Sequence, residues 1–332
     1  MATETRPIAA ETARDTNGAP TEIAPGVAWH AEPIVNVYFL GTPGSGDRGW
    51  VLVDAGLPGM SGGIVRAAAA RFGAGARPSA IILTHGHFDH TGALRTLAER
   101  WDAPIYAHPL ELPYLTGRSA YPPPDPSVGG GAMSLSSPLF PRGPIDLGSR
   151  VRAFPAGSDV PGASGWHVIH TPGHSPGHVS LWREDDRTLI VGDAFVTTVQ
   201  ESAVAAFTKP VVMHGPPMYF TPDWDSSRRS VEALAALRPA LAATGHGVPV
   251  CGPELANELD TLARTFDARA VPKHGRYVGR RAVADETGVV SVPPAPPSRL
   301  PLVLAASAAV GFALARRNRR KRERDAASDY SI

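Results

Sequence analysis

The sequence contains little cysteine, little net charge and no apolar run of signal-peptide length at its beginning. Its single cysteine, Cys251, excludes an internal disulfide framework and a cysteine-rich structural zinc site. The formal net charge of +1 gives no global basic excess, so nothing in the composition points to nucleic acid. We expect residues 1–25, which are polar, to form a flexible leader of a cytoplasmic protein.

The middle of the chain has the pattern of one α/β domain. An apolar fraction of 43% is enough for a sizeable core. Apolar runs at 27–41, 50–55, 80–85 and 103–109 predict strands, and the spacing over 61–74 and 91–101 predicts helices between them. This alternation predicts a domain over 26–272. The glycine- and proline-rich residues 117–146 interrupt it, and both a lid and a loose surface loop remain open for this insert.

The C-terminal residues differ in composition from the domain. Proline-rich residues 273–298 predict a linker, and 299–317 predict an apolar helix followed by a basic tail over 318–332. Its uncharged core, 300–315, would rise about 24 Å as a helix at about 1.5 Å per residue. A usual membrane span needs ~20 residues, so this core is shorter than a usual span. Two arrangements remain open: a helix that associates with the membrane, aided by anionic lipids, or one packed on the domain.

Side chains that bind metals follow the apolar strands of the domain. The stretch "IILTHGHFDHTG", residues 81–92, is the densest example. Because strand ends can meet at one edge of a sheet, we expect these residues to share a crevice. Imidazole and carboxylate ligands suit Zn²⁺, Mn²⁺ and Fe²⁺, and the set is about what two ions need. The candidates are His85, His87, Asp89, His90, His174, Asp193 and His246.

The motif "THGHFDHTG" resembles the His-x-His-x-Asp-His signature of the metallo-β-lactamase-fold superfamily. "TPGHSPGH", "VGDAF" and "TGHG" are similar to its remaining metal motifs, in order, and the resemblance covers residues 27–270. It implies an α/β fold, a four-layer αββα sandwich, with two divalent ions at one edge of its sheets, zinc before manganese or iron. It also implies that Asp54 orients a ligand or a loop. The implied ligands are His85, His87 and His174 for the first metal, Asp89, His90 and His246 for the second, and Asp193 as the bridge.

The resemblance implies a hydrolase of small molecules. A water between two ions has a lowered pKa, so hydroxide can attack the carbonyl of an ester, thioester or lactone at neutral pH. Asp89 and Asp193 are the expected catalytic carboxylates, with Asp89 also able to shuttle a proton. Glyoxalase II-like thioesterases and lactonases are equally close. Lactonases commonly carry a tyrosine where this chain has Val196, and Tyr219 is the candidate to supply that substrate-binding hydroxyl.

A second class of function also remains open. The same residues could serve an iron-dependent, persulfide dioxygenase-like redox enzyme or a non-catalytic metal-binding scaffold. The complete second ligand set favours the hydrolase, and the metal that is bound separates the two classes. His170 and His178 flank the candidate ligand His174 at positions that do not match a metal ligand of the motif, and we expect both to be structural.

Overall fold

The computed structural model describes residues 6–7, 19–155, 157 and 159–296. The chain divides into two units, Met1–Pro293 and Pro294–Ile332, and the fold below is that of the first. Its strands are β1 Arg6–Pro7, β2 Thr21–Ala24, β3 Val27–Ala31, β4 Asn36–Leu40, β5 Val51–Val53, β6 Ala80–Ile82, β7 Ile105–Ala107, β8 Val151–Ala153, β9 Trp166–His170, β10 Val179–Arg183, β11 Thr188–Gly192, β12 Leu241–Thr244, β13 Val250–Cys251, β14 Val283–Asp285 and β15 Gly288–Ser291. Its α-helices are α1 Ser61–Phe72, α2 Phe88–Thr91, α3 Leu94–Trp101, α4 Leu112–Leu115, α5 Ala132–Ser136, α6 Ala203–Thr208, α7 Trp224–Ala236, α8 Leu255–Arg264 and α9 Phe266–Arg269.

Two mixed sheets form the centre of the domain. The first has the strand order β2-β3-β4-β5-β6-β7-β8, antiparallel from β2 to β5 and parallel from β5 to β8. The second has the order β1-β13-β12-β11-β10-β9, with β11 and β12 parallel and the other pairs antiparallel. The parallel pairs β5–β6 and β11–β12 therefore each deliver two neighbouring carboxyl ends to an edge of their sheet.

The alternation of side chains along the strands separates three apolar layers. Leu52 of β5 lies in a cluster with α1 and α3, while Val51 and Val53 lie in a cluster shared by both sheets. On β11, Val191 packs with α7 and α8, and its neighbour Ile190 faces the other sheet. Side chains in a strand point to opposite faces in turn, so each sheet is covered on both sides. The order is helix, sheet, sheet, helix, which confirms the expected αββα sandwich.

The N-terminal expectation differs from the structure at its end. We expected a leader over 1–25, but residues 21–24 form β2, which pairs antiparallel with β3. The backbone of this strand supplies the pairing, and its side chains are only partly buried. A polar edge strand of this kind lacks the apolar alternation that identifies a strand in sequence. Of the rest of 1–25, only residues 6–7, 19–20 and 25 are described.

The linker expected over 273–298 is in large part structured. The strands β14 and β15 form a hairpin, whose turn is held by Asp285 accepting from the Thr287 backbone at 2.8 Å. Tyr277 is buried, and its hydroxyl donates to the Pro123 carbonyl at 2.5 Å. The prolines of this stretch lie at its C-terminal end, so residues 276–292 are free to pair. The linker prediction was wrong for the hairpin.

The insert over 117–146 packs on the domain and contains α5. A bridge between Thr116 and Asp146 closes its base. Within the insert, the Tyr121 amide donates to Arg142 O at 3.0 Å. The Asp125 amide connects the insert to the rest of the domain, because it donates to Tyr219 O at 2.8 Å. These bonds fix the insert beside the strand ends that carry the candidate ligands.

Within the described ranges, no helix has both the length and the apolar character needed to cross a membrane. The apolar helix expected over 299–317 and the basic tail over 318–332 lie outside those ranges.

Candidate metal centre

The candidate ligands come from segments that follow strands of both sheets. After β6, a turn carries His85 and His87, and the short helix α2 that follows carries Asp89 and His90. The loop after β9 carries His174. Asp193 directly follows β11, and His246 lies two residues past β12. The structure brings all seven together, and each is buried.

The first group of donors is His85, His87 and His174, whose ligand atoms lie within 4.8 Å of one another. The His87 Nδ1 and the His174 Nε2 face each other at 3.0 Å. The His174 Nδ1 lies 3.3 Å from the Thr221 hydroxyl, which donates to the Pro217 carbonyl and so accepts from the ring. That bond leaves the His174 Nε2 lone pair aimed at the group.

The second group is Asp89, His90 and His246, again with ligand atoms within 4.8 Å of one another. The His246 Nε2 lies 3.5 Å from an Asp89 oxygen. Its other nitrogen, Nδ1, donates to the Ile34 carbonyl at 2.6 Å. The carbonyl fixes the ring tautomer and leaves Nε2 free as a ligand atom.

Asp193 lies between the two groups. One of its oxygens is 3.0 Å from the His246 Nε2 and 3.4 Å from the His174 Nε2, and the other is 3.5 Å from the His90 Nε2. A single carboxylate therefore contacts donors of both groups, which is the geometry that a bridging ligand needs.

The electrostatics of the cluster suit a bound cation. Burial lowers the pKa of both His85 and His174, so these imidazoles are neutral, as metal ligands must be. Burial opposes ionisation of Asp193, but the neighbouring His246 and His90 hold its pKa well below the ordinary value. Burial also opposes the charged form of His90, and the carboxylates of Asp193 and Asp54 outweigh it and raise the pKa of that ring, so a metal ion bound to His90 would displace a proton.

Three buried polar atoms at the centre have no hydrogen-bond partner among the described residues: the Nε2 atoms of His85 and His90, and the Asp193 Oδ1, the last two lying 3.5 Å apart. An unsatisfied buried polar atom destabilises a protein by about 1–3 kcal/mol, so such groups are normally paired. All three are lone-pair donors that face the same small volume. The residues present therefore fit divalent cations.

Asp54 lies behind both groups, as expected for a residue that orients ligands. Its carboxylate accepts from the His90 Nδ1, the Thr84 amide and the Thr84 hydroxyl, each at 2.8 Å. Because the Thr84 hydroxyl donates to Asp54, it accepts from the His85 Nδ1, 3.1 Å away. Asp54 thus orients one histidine of each group. It does so with a φ of 60°, a left-handed conformation that aspartate and asparagine tolerate better than most residues.

We expect Asp54→Asn to weaken metal binding at both groups by about 10–100-fold, the usual effect of removing a residue that orients a ligand. Asparagine keeps the backbone conformation but loses one acceptor oxygen. The measurement is competition with a chromogenic chelator. Asp102→Asn is the matched control, because Asp102 also has a positive φ, 46°, and lies exposed at the end of α3. Equal metal affinity in Asp54→Asn and wild type would contradict this role.

Two further residues contact the site, although the motifs did not identify either residue as part of it. His178, expected to be structural, accepts from the Asp193 amide at 2.8 Å through its Nε2, while its Nδ1 donates to the Thr171 hydroxyl at 2.8 Å. It therefore holds the backbone of the bridging residue. Glu111 is a fully buried carboxylate beside the loops of the first group. His178 has a signal in the sequence, its place in "TPGHSPGH", whereas Glu111 has none.

The other expected residues have simpler surroundings. Tyr219, the candidate substrate contact, is 3% exposed and packs with Phe220 and Phe140 at ring distances of 5.1 and 6.0 Å. Burial, reinforced by the nearby Asp89 carboxylate, raises the pKa of Tyr219, so its phenol is neutral. His170 stacks on His108 at 4.0 Å and donates to or accepts from nothing in the centre.

A small cavity of ≈ 10 Å³ adjoins the first group. That is room for about one water molecule. Phe220 stacks on the His87 ring at 4.7 Å, and Tyr121 of the insert meets the same ring edge-on at 4.5 Å. The lining residues are His87, Tyr121, Pro122, Pro123, His174, Phe220, Pro222 and Tyr277. The insert and residues near 277 therefore cover the first group.

Comparison with known proteins agrees with this geometry. Residues 31–246 match the family model described as the metallo-beta-lactamase superfamily, a range that includes every candidate ligand. The chain is 46% identical to the probable metallo-hydrolase YflN of Bacillus subtilis over 252 residues, 76% of this chain and 95% of that protein. It is 31% identical to the probable metallo-hydrolase YybB of the same organism over 196 residues, 59% of this chain and 74% of that protein.

Solved structures with the same fold are more distant in sequence. A beta-lactamase domain protein from Burkholderia ambifaria superposes with a TM-score of 0.52 at 23% identity, covering 76% of this chain and 78% of its own. A B3 metallo-beta-lactamase described as having an active-site glutamic acid superposes with a TM-score of 0.52 at 20% identity. The superposition covers 80% of this chain and 96% of that protein. Both likenesses concern the fold. The family match and the closely similar relative show that the chain belongs to the metallo-beta-lactamase superfamily.

Proposed function

We propose that the protein is a dinuclear metal-dependent hydrolase of ester, thioester or lactone bonds. The observation that carries this proposal is the position of Asp193, whose two oxygens contact histidines of both donor groups. One metal would need only one of the groups, whereas a shared carboxylate suits a pair of ions. The similarity to probable metallo-hydrolases supports the same class of reaction.

The donor set favours zinc as the metal. His85, His87 and His174 would hold the first ion, Asp89, His90 and His246 the second, and Asp193 would face both. When bound, two such ions supply Lewis acidity and lower the pKa of a bound water to near neutrality. Nitrogen and carboxylate ligands without sulfur also suit manganese and iron. Cys251 lies on β13 opposite Leu241, at the end of β12 away from His246, so it is not part of the set.

Asp89 is the proposed proton carrier. Its side chain is 10% exposed, against about 2% for His246 and Asp193. It is therefore the carboxylate that an entering water and a departing group can reach. In this proposal its oxygen takes a proton from the attacking water and returns it to the leaving oxygen or sulfur. The buried Asp193 keeps its charge and its contacts throughout.

The covering residues favour an uncharged acyl substrate. The eight residues that line the cavity include no lysine or arginine, and most are aromatic rings or prolines. An acyl group needs only apolar contact beside the reacting carbonyl. Tyr219, in the adjoining apolar cluster, remains the proposed source of a hydroxyl for the substrate.

Elemental analysis together with a substrate panel tests the proposal. We expect about two zinc or manganese ions per chain, and hydrolysis of at least one ester, thioester or lactone that stops with chelator and returns with zinc. The chelated and reconstituted sample is its own control. A single iron per chain, with turnover of persulfides, would favour the redox alternative. Metal without any turnover would favour a binding scaffold, and either result would overturn the proposal.

A further inference from the structure

Glu111 is a fully buried acidic residue outside the ligand set. It ends a short 3₁₀ turn, Pro109–Glu111, that follows β7, and its exposed fraction is 0%. A buried carboxylate is strongly unfavourable unless hydrogen bonds replace its lost hydration. The partners of Glu111 therefore show what the residue does.

Four donors surround the Glu111 carboxylate. One oxygen accepts from the Ser175 hydroxyl and the Gly177 amide, each at 2.7 Å. The other accepts from the Gly86 amide at 3.0 Å and from the Tyr121 hydroxyl. These four hydrogen bonds act on three separate segments.

These segments carry the first donor group. Gly86 stands between His85 and His87, and Ser175 directly follows His174. One carboxylate thus joins the two loops whose histidines must meet, although the loops are far apart in sequence. Tyr121 adds the insert, since its ring also contacts the His87 ring at 4.5 Å.

The loops approach Glu111 too closely for side chains at two positions. A Cβ at Gly86 would lie 2.5 Å from the Tyr121 hydroxyl, and a Cβ at Gly177 would lie 2.8 Å from the Glu111 Cγ. Glycine at these positions allows the backbone amides to reach the carboxylate. Glycine at positions 86 and 177 is therefore part of what lets the Glu111 carboxylate bind both loops.

The second donor group has different supports. His90 is oriented by Asp54, and His246 by the Ile34 carbonyl. Glu111 makes none of these bonds. A change at Glu111 should therefore act on one group and spare the other.

We propose that Glu111 is a positioning residue for the first metal group, setting the distance between the His85–His87 turn and the His174 loop. Any effect of Glu111 on hydrolysis rests on the proposed function. Its effect on metal binding does not, because the hydrogen bonds above concern only the position of the ligands. Glu111, which lies outside the motifs, would thus keep His85, His87 and His174 at the distances that one metal ion needs. Residues of this type typically change metal affinity by 10–100-fold when replaced.

The test isolates each group before Glu111 is changed. In a His246→Ala background, zinc binding reports the first group, and in a His174→Ala background it reports the second. Glu111→Gln keeps the side-chain shape but turns one acceptor oxygen into a donor facing donors. We expect zinc affinity to fall by about tenfold or more in the first background and to change less than about twofold in the second.

Controls separate positioning from general destabilisation. Leu259→Ala, on the buried face of α8, lowers thermal stability without touching either group. Ser175→Ala removes only one of the four donors and should weaken the first group by a smaller factor, which keeps the test available if Glu111→Gln fails to fold. Hydrogen exchange at the Gly86 and Gly177 amides should speed up more, relative to other buried amides, in Glu111→Gln than in Leu259→Ala.

Two results would overturn the inference: unchanged zinc affinity in the first background, or an equal loss in both backgrounds that matches Leu259→Ala. The failure of the proposed function looks different. It would appear as absent hydrolysis by the wild type, while the zinc affinities of the two backgrounds would still decide the role of Glu111.

Discussion

Asp193→Asn is expected to lower metal affinity, and with it any hydrolysis, by more than about 100-fold. Replacing a residue that only orients a ligand already lowers metal affinity by about 10–100-fold. Asp193 contacts donors of both groups directly, at 3.0 to 3.5 Å. Asparagine has the same shape but no charge and one acceptor oxygen, so neither ion would keep its shared ligand. Ions bound per chain and kcat/KM on the substrate found by the panel are the two measurements.

Asp186→Asn is the control for this variant. Asp186 lies in the turn between β10 and β11, on the same hairpin as Asp193, and pairs with Arg183 at 2.6 Å. It touches none of the donors, so its replacement should leave metal content and turnover within about twofold of wild type, as for most surface changes. Two tightly bound ions in Asp193→Asn would show that the carboxylate is not the shared ligand.

Gly245→Ala is expected to displace the Asp193 carboxylate from its place in the site by adding one methyl group. A Cβ at Gly245 would lie 2.0 Å from the Asp193 Oδ1 and 2.8 Å from the His90 Cε1. Gly245 is not among the glycines with positive φ, so alanine fits the backbone and the clash is the whole effect. We expect metal affinity to fall by more than about tenfold, since the bridging carboxylate must move. Overpacking should also lower the free energy of unfolding by about 1–3 kcal/mol.

Gly63→Ala provides the comparison. Gly63 lies inside α1, where a Cβ meets only the His30 ring at 3.5 Å, an ordinary contact. Alanine in a helix interior is favoured over glycine by roughly 0.5–1 kcal/mol, so this variant should be at least as stable as wild type. Zinc titration and denaturant unfolding of both proteins give the result. A Gly245→Ala protein with wild-type metal affinity would mean that Asp193 has another position available.

The sequence predicts that the candidate ligands lie close together because they follow strands. Each lies in or near a short motif after an apolar run, and the parallel pairs β5–β6 and β11–β12 bring those ends together. Asp54, at the end of β5, was expected to orient a ligand, and it lies beside His90. The alternation of strands and helices predicts an α/β domain, whereas the four-layer sandwich was implied by the resemblance to the metallo-β-lactamase-fold superfamily.

The supports behind the ligands are harder to predict. Glu111 acts through backbone amides of Gly86 and Gly177, which are 25 and 66 residues away, and no local pattern records such contacts. The hairpin β14–β15 lies in a stretch whose proline content suggested a linker, although the prolines lie beyond the paired residues. Strand β2 pairs through its backbone with few buried side chains, so it has no apolar signal.

The most direct test of the account is a crystal structure of zinc-loaded protein with anomalous scattering recorded at the zinc edge. The account predicts two peaks in each chain, one among His85, His87 and His174 and one among Asp89, His90 and His246, with Asp193 facing both. A single peak, or none, in crystals grown with excess zinc and no chelator would contradict the dinuclear centre.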